Sequence, residues 1–301
     1  MNHNTQGRLG KLALYGAALI WGTAFFMIKN QMDVFPPDSL LALRYAIATP
    51  LLALVFWKKV RSSTLADVWR SLVLGVILAA AMLVQSYGIT DTTPGKNAFL
   101  TAIYCVLVPF IFWGVKRTRP EAKSFAAAFV GLIGIGLISL TENLSIGWGD
   151  GMTLVGGVLF AVHIVGIATM GRNIDPVRSV VFQFAACTAI FWIADWLTPS
   201  GPLAIGPMDW LTVLYLSVFP TALGFLLQLV GQKYAPPAGA SLILSLESVF
   251  GVLFSVIFYG EVVPPRVFAG FAVVFAAIFI SESDLKFARR RVEQVAAEEK
   301  S

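Results

Sequence analysis

Glu247 stands in the middle of a long apolar run, Ala235 to Tyr259, between Leu242-Ile243-Leu244-Ser245-Leu246 and Ser248-Val249-Phe250-Gly251. A carboxylate held at that depth in a bilayer is costly, so such residues face a cavity, a partner or a path for ions or solutes. The group has two states to offer: ionised with a cationic group bound, or protonated when the site is empty. The competing reading is structural, a hydrogen bond to Ser245, to Ser248 or to a backbone amide. His163, in Phe160-Ala161-Val162-His163-Ile164, titrates in the physiological range and bonds anions or ring compounds; it also serves as a hydrogen-bond partner between helices. Arg44 lies about two turns into its run. Its guanidinium grips a carboxylate through two parallel bonds, unless it snorkels outward or pairs with Asp38. Lys29, nearer the end of a run, is expected to snorkel.

Around these charges stand groups that would shape a binding site. Trp21 and Tyr104 offer flat faces to an apolar or aromatic substrate, or simply pack. Gln85, Gln183 and Gln228 each need a hydrogen-bond partner in apolar surroundings; one shared polar cavity accounts for all three, and so do bonds between helices. Pro109, Pro220 and Pro50 fall inside runs, where proline removes a backbone bond and bends a helix; Pro109 and Pro220 are the candidate hinges.

Other chemistries leave no trace. There is no Gly-x-x-x-x-Gly-Lys-Ser/Thr loop for a nucleotide and no His-Glu-x-x-His pair; the histidines are His3 and His163 alone. Cys105 and Cys187 sit inside apolar runs with neither disulfide nor metal spacing, and read as small buried hydrophobes. No cofactor and no metal are expected. Paired mid-run carboxylates for acid–base work are missing, and the loops are short, which leaves an integral-membrane enzyme as a minor alternative. A passive channel is the other, but no ring of filter residues is visible.

The elements that must position these groups are legible in the composition. Of 301 residues, 57% are apolar and 13% charged, with a mean hydropathy of +0.77; soluble domains carry about 45–50% and about 25%. Apolar stretches long enough to cross a bilayer as helices fall near 11–29, 37–57, 69–90, 94–115, 122–140, 151–171, 176–197, 209–231, 236–259 and 264–283. They are continuous rather than alternating, which favours helices over a closed barrel. The first is longer than the apolar core of a signal peptide and reads as an uncleaved span. Prolines gather at span starts, where a missing backbone N–H costs nothing: Pro36-Pro37, Pro94, Pro176, Pro236-Pro237 and Pro264-Pro265.

The formal net charge of +5 does not point to nucleic acid, because the basic residues lie in short loops between runs. With a cytoplasmic N-terminus, the outer loops hold only Lys29, Lys96 and Arg266, Arg44 lies within a span, and the other 18 of the 22 Lys and Arg fall inside. That asymmetry orients both termini to the cytoplasm and requires an even number of spans. The charged tail, 286–301, reads as a frayed cytoplasmic helix that serves as a stop-transfer anchor, the alternative being specific recognition of anionic lipid or of a partner.

The second half echoes the first. Thr93-Pro94-Gly95-Lys96-Asn97-Ala98 and Pro236-Pro237-Ala238-Gly239-Ala240-Ser241 open corresponding spans, as do Phe35-Pro36-Pro37-Asp38-Ser39 and Ile174-Asp175-Pro176-Val177-Arg178. Five spans per half force opposite insertion. Inverted repeats typify secondary transporters, whose sites lie near midplane between the halves. Residues 1–145 and 146–285 would form the repeats, with Glu247 and His163 lining one central cavity. Glu247 stands where Tyr104 stands in the first half, and a pseudo-twofold axis would bring these two spans together.

Trp21-Gly22-Thr23-Ala24-Phe25 with Lys29, then Arg44-Tyr45, then Leu242 through Gly251 followed by Tyr259-Gly260-Glu261, resemble the drug/metabolite transporter superfamily, EamA type. The resemblance covers about residues 10–283. It implies an all-α polytopic membrane protein of ten transmembrane helices in a 5+5 inverted repeat, and movement of small metabolites such as amino acids or amphipathic compounds, with export favoured. Lys116-Arg117 departs from the pattern: it stands where an acidic residue like Glu261 often follows span four. The expected setting is the inner membrane; the partners are a small-molecule substrate, the lipid bilayer and protons as a coupling ion, with no nucleic acid and a monomer or homodimer as the assembly.

Overall fold

The computed structural model describes residues 3–117, 119–120, 122–139, 146–198 and 204–282, so the charged tail lies outside the described residues. The described elements are α1 (His3–Gln31), α2 (Pro37–Val55), the short α3 (Trp57–Arg61), α4 (Leu65–Thr90), α5 (Pro94–Thr101), α6 (Tyr104–Lys116), α7 (Ala122–Ser139), α8 (Trp148–Thr169), α9 (Pro176–Leu197), α10 (Pro207–Leu216), α11 (Gly224–Tyr234), α12 (Pro237–Phe254) and α13 (Pro265–Glu282). Two π-helical turns, Ser217–Leu223 and Ser255–Tyr259, join α10 to α11 and extend α12. Among the described residues, eight stretches are long and apolar enough to cross a membrane. The fifth and tenth expected spans form the helices α7 and α13, but their apolar segments, Phe125–Ile138 and Pro265–Ala277, are shorter.

The starts follow the local chemistry. Prolines occupy the first helical position of α2, α5, α9, α10 and α12. Asp175 accepts from Val177 N at 2.9 Å above α9, and Thr64 and Asp67 close a reciprocal capping box on α4. The expected fourth span is broken. Between α5 and α6, Cys105 N and Val106 N bond back only three residues, to the Ala102 and Ile103 carbonyls. The break therefore precedes Pro109, which sits inside the continuous α6.

Pro220 acts differently. It has no N–H to give the Leu216 carbonyl, and the chain widens into a π turn around it. The Thr221 hydroxyl bonds the Leu216 carbonyl instead, at 2.8 Å.

Packing couples the two sequence halves. α7 runs along α13, α4 along α8 and α9, α1 along α12 and α11, and α2 along α9. At the α7–α13 crossing the helices touch backbone to backbone: a Cβ on Gly134 would lie 3.1 Å from the Gly270 carbonyl, and one on Gly270 3.0 Å from the Gly134 carbonyl. In lipid, where burial of apolar surface gives no drive, such close approach holds helices together. Two large apolar clusters result. One joins α1, α5, α6, α7, α8, α12 and α13 around Tyr104 and Leu244; the other joins α2, α4, α8, α9 and α11 around Tyr45 and Phe225. Trp21 and Phe160 pack against both and mark the seam.

Each end of the bundle carries a polar clasp. At one end Arg178 reaches Asp67 at 3.2 Å and Lys59 reaches Asp175 at 3.2 Å. At the other, Lys29 donates to the Ile89 and Thr90 carbonyls, both at 2.9 Å, and Lys96 reaches Asp150 at 3.3 Å. Gly260, at φ 71°, ends the second π turn and folds Glu261 back. Its carboxylate then accepts from Gly95 N at 2.8 Å and from the Thr93 and Ser255 hydroxyls, tying α12 to the start of α5.

Candidate functional site

Tyr104 opens α6, and Glu247 lies within α12. The Tyr104 hydroxyl donates to Glu247 Oε1 at 2.9 Å. Each stands ten positions after the proline that opens its span, Pro94 and Pro237. The two residues that correspond by sequence are thus bonded to each other. The other carboxylate oxygen, Oε2, has no hydrogen-bond partner among the described residues. Ser245 and Ser248 are spent on their own helix: their hydroxyls donate to the Leu242 carbonyl at 2.6 Å and the Ser245 carbonyl at 2.7 Å.

Arg44, 2% exposed, does not snorkel. Its Nε and Nη2 donate to Thr221 Oγ1 at 3.2 and 3.0 Å, and Nη1 has no partner. Asp38 is engaged elsewhere, by the Thr198 and Tyr87 hydroxyls. No carboxylate pairs with Arg44 among the described residues. The π turn explains the anchor: it brings Thr221 to the guanidinium, and the hydroxyl accepts from Arg44 while donating to Leu216.

Arg44 and Glu247 line one cavity of about 680 Å³ of space not filled by atoms, its open side included. Trp21, Tyr104, Gln85, Gln228 and Pro220 line it too, so the fold brings together seven of the residues singled out by sequence. Trp21 is fixed by its indole N–H, which donates to the Pro220 carbonyl at 2.8 Å, and by its ring against Phe225 at 5.0 Å. Gln85 donates to Thr101 Oγ1 at 2.9 Å. Gln228 Oε1 has no partner.

Two expectations are corrected. His163 does not share this cavity. It is 0% exposed, and its Nε2 pairs with Gln183 Oε1 at 2.7 Å. Gln183 in turn donates to Ser179 Oγ at 2.9 Å. The third glutamine of the expected set is therefore the partner of the histidine, in the packed wall between α8 and α9. Pro109, the other departure, lies off the cavity and within an unbroken helix; the interruption of that span is at Ala102–Ile103.

Sequence reasoning missed Asn97, Thr101, Thr221, Phe160 and Phe225. Asn97 gives a signal, an amide three residues beyond the start of an apolar run; its Nδ2 donates to Thr153 Oγ1 at 2.8 Å, while Oδ1 has no partner. Thr221 gave a weaker one, a hydroxyl beside a mid-span proline. Phe160 and Phe225 gave none, since aromatics in spans are common and only packing separates cavity walls from lipid faces. Among the described residues no group of three or more His, Cys, Asp or Glu could hold a metal ion. The arrangement is suited to holding a small polar or amphipathic molecule between aromatic walls.

The comparisons with known proteins agree with this architecture. An uncharacterized transporter of Archaeoglobus fulgidus is 28% identical over 279 residues, spanning 90% of this chain and 85% of its own length. The uncharacterized transporter YetK of Bacillus subtilis is 25% identical, spanning 90% and 86%. The uncharacterized inner membrane transporter YedA of Escherichia coli is 22% identical, spanning 89% of each. A protein of known crystal structure superposes with a TM-score of 0.70 over 91% of this chain and 97% of its own, at 16% identity, which speaks to the fold alone. The sequence pattern of one transporter family matches residues 8–140 and again residues 147–282. This membrane protein belongs to the EamA-like transporter family.

Proposed function

We propose that the chain is a secondary transporter of the inner membrane, exporting small metabolites such as amino acids or amphipathic compounds by alternating access. It has ten spans in two inverted five-helix repeats, 1–145 and 146–285, and both termini in the cytoplasm. The packing supports the repeat. α7 meets its counterpart α13, and α2 meets α9; the α4–α8 contact recurs as α11–α1, and the α1–α12 contact as α8 against α5 and α6. Exchange of the halves leaves this scheme unchanged, as a twofold axis requires. The two successive family matches support it as well.

The single observation that carries the transport reading is the bond between Tyr104 and Glu247 at the wall of the cavity. It puts an ionisable group where the two repeats meet, the location of sites in inverted-repeat transporters. A rocking of one repeat against the other would expose that group to either side, with a proton or a cationic group on the cargo as its partner.

The test is flux from proteoliposomes loaded with labelled amino acids or amphipathic amines. Wild type should exceed protein-free vesicles; Glu247→Ala should abolish flux while the protein still inserts and melts cooperatively. Glu247→Gln separates two roles: loss of flux marks a need for ionisation, normal flux across pH a need for hydrogen bonding only. No flux of any probe with wild type would end the reading.

A further inference from the structure

We infer that the end of the bundle bearing Lys59 and Arg178 carries a second binding site, for a phosphate-bearing anion: the headgroup of an anionic phospholipid. A cavity of about 1380 Å³ of space not filled by atoms, its open side included, lies at that end. It is bounded by the start of α1, the end of α8, the start of α9, the end of α11 and the linker into α12. It shares no lining residue with the central cavity.

Its formal charges are of one sign. Arg172 and Lys233 line it, and no Asp or Glu does. Neither cation has an ion-pair or hydrogen-bond partner among the described residues. Cations nearby at the same end are already paired, Lys59 with Asp175 and Arg178 with Asp67, both at 3.2 Å. A cation after a helix ordinarily serves the last carbonyls. At the end of α8 the backbone does this instead: Met170 N and Gly171 N both donate to the Gly166 carbonyl, at 2.8 and 3.2 Å. Arg172 is thus left over, and Lys233, in the last turn of α11, donates to no carbonyl among the described residues.

The rest of the lining suits an amphipathic ligand. Ile167, Ile174 and Leu229 are buried and give an apolar floor, while Arg172, Lys233 and Tyr234 are exposed at the rim. Tyrosine gathers at headgroup level in membrane proteins, which fits the depth of that rim. Basic pockets between spanning helices are sites for anionic headgroups. A guanidinium grips a phosphate through parallel bonds and an ammonium adds a point charge. A soluble phosphate ester would use the rim alone. A phospholipid uses both parts, its phosphate between the cations and its glycerol and first methylenes on the floor.

The position also couples the site to the rest of the protein. α8 and α11 wall both cavities: Ile164 and Gln228 line the central one, Ile167 and Gln232 this one, about a turn further along. Gln232 Nε2 donates to the Ile164 carbonyl between them, at 3.4 Å. A headgroup held by Arg172, just beyond α8, and by Lys233 on α11 clamps that pair of helices, so occupancy should register as stability.

The test is thermal melting of the purified full chain in uncharged detergent, titrated with phosphatidylglycerol or with phosphatidylcholine of the same acyl chains. Phosphatidylglycerol should bind at least about tenfold more tightly, the order expected when two basic side chains meet an anionic headgroup. Arg172→Gln with Lys233→Gln should erase that preference, and the charge-keeping pair Arg172→Lys with Lys233→Arg should retain it. Lys58→Gln with Arg61→Gln removes the same charge from α3, which does not line the cavity, and should also retain it. No preference in wild type, or equal loss in both glutamine pairs, overturns the site in favour of diffuse attraction to a basic surface. Soluble sn-glycerol 3-phosphate separates the sources. Protection as strong as that of the lipid, lost in the Arg172/Lys233 glutamine pair, keeps the phosphate site and rejects the lipid. Binding to purified protein stands or falls independently of transport; only the assignment of the site to the cytoplasmic side rests on the proposed topology.

Discussion

Glu247 and His163 were equivalent on paper, each a titratable group deep in an apolar run, and the fold separates them. Glu247 meets a hydroxyl from the other half of the sequence and lines the cavity; His163 meets a glutamine of the next helix and is sealed in. The difference is in what stands opposite. The His163–Gln183 bond lies within the wall and leaves His163 Nδ1 buried without a partner, so the bond's role is to join α8 to α9. His163→Ala should therefore cost about 1–3 kcal/mol by leaving the Gln183 carbonyl oxygen buried without a donor. Thermal melts should show the loss, and affinity for any cargo, measured on the folded fraction, should match wild type. A tenfold change in affinity without loss of stability would instead bring His163 into the site.

Glycine and proline set the geometry of the elements. The prolines that open spans give sharp, cheap starts, whereas Pro220 widens its helix into a π turn and so delivers Thr221 to Arg44. The α7–α13 pair depends on absent side chains. A Cβ on Gly270 would lie 2.7 Å from Ile138 Cγ1 and 3.0 Å from the Gly134 carbonyl. Gly270→Val must push the helices apart, and overpacking of this kind costs about 1–3 kcal/mol. Since α7 and α13 contribute nothing to the cavity lining, the expected result is a lower melting temperature with unchanged flux per folded molecule. Unchanged stability would mean that the two helices separate freely in the bilayer.

For the whole molecule, the polar clasps lie at opposite ends of the bundle, and the proposed topology puts the end bearing Lys59 and Arg178 in the cytoplasm. Reporter fusions after Lys58 and after Asp150 test that assignment. The first should give a cytoplasmic signal and the second an external one; the opposite result at either site rejects the ten-span topology. The proposed ten spans have α7 and α13 cross, although their apolar segments are the shortest. Their neighbours supply the reason they can: they pack on each other along their length, so that less of each must face lipid.

Much of this was legible in one dimension. Bilayer crossing needs long apolar helices, so the all-helical membrane class and most helix limits are legible in run length and composition alone. The correspondence of Tyr104 with Glu247 followed from two prolines at the same distance. Other matters had to wait for packing. Which polar group faces a cavity and which a neighbouring helix depends on rotation about each helix axis. A span that is apolar all round does not encode that rotation, because lipid and protein interior are equally apolar. Hence the sequence puts His163 with Glu247 and a hinge at Pro109, whereas the span is interrupted at Ala102–Ile103, and it gives little sign of Thr221, Asn97 and Phe225. Contact between helices distant in sequence decided which side chains meet, and with that the charges left unpaired in the cavity.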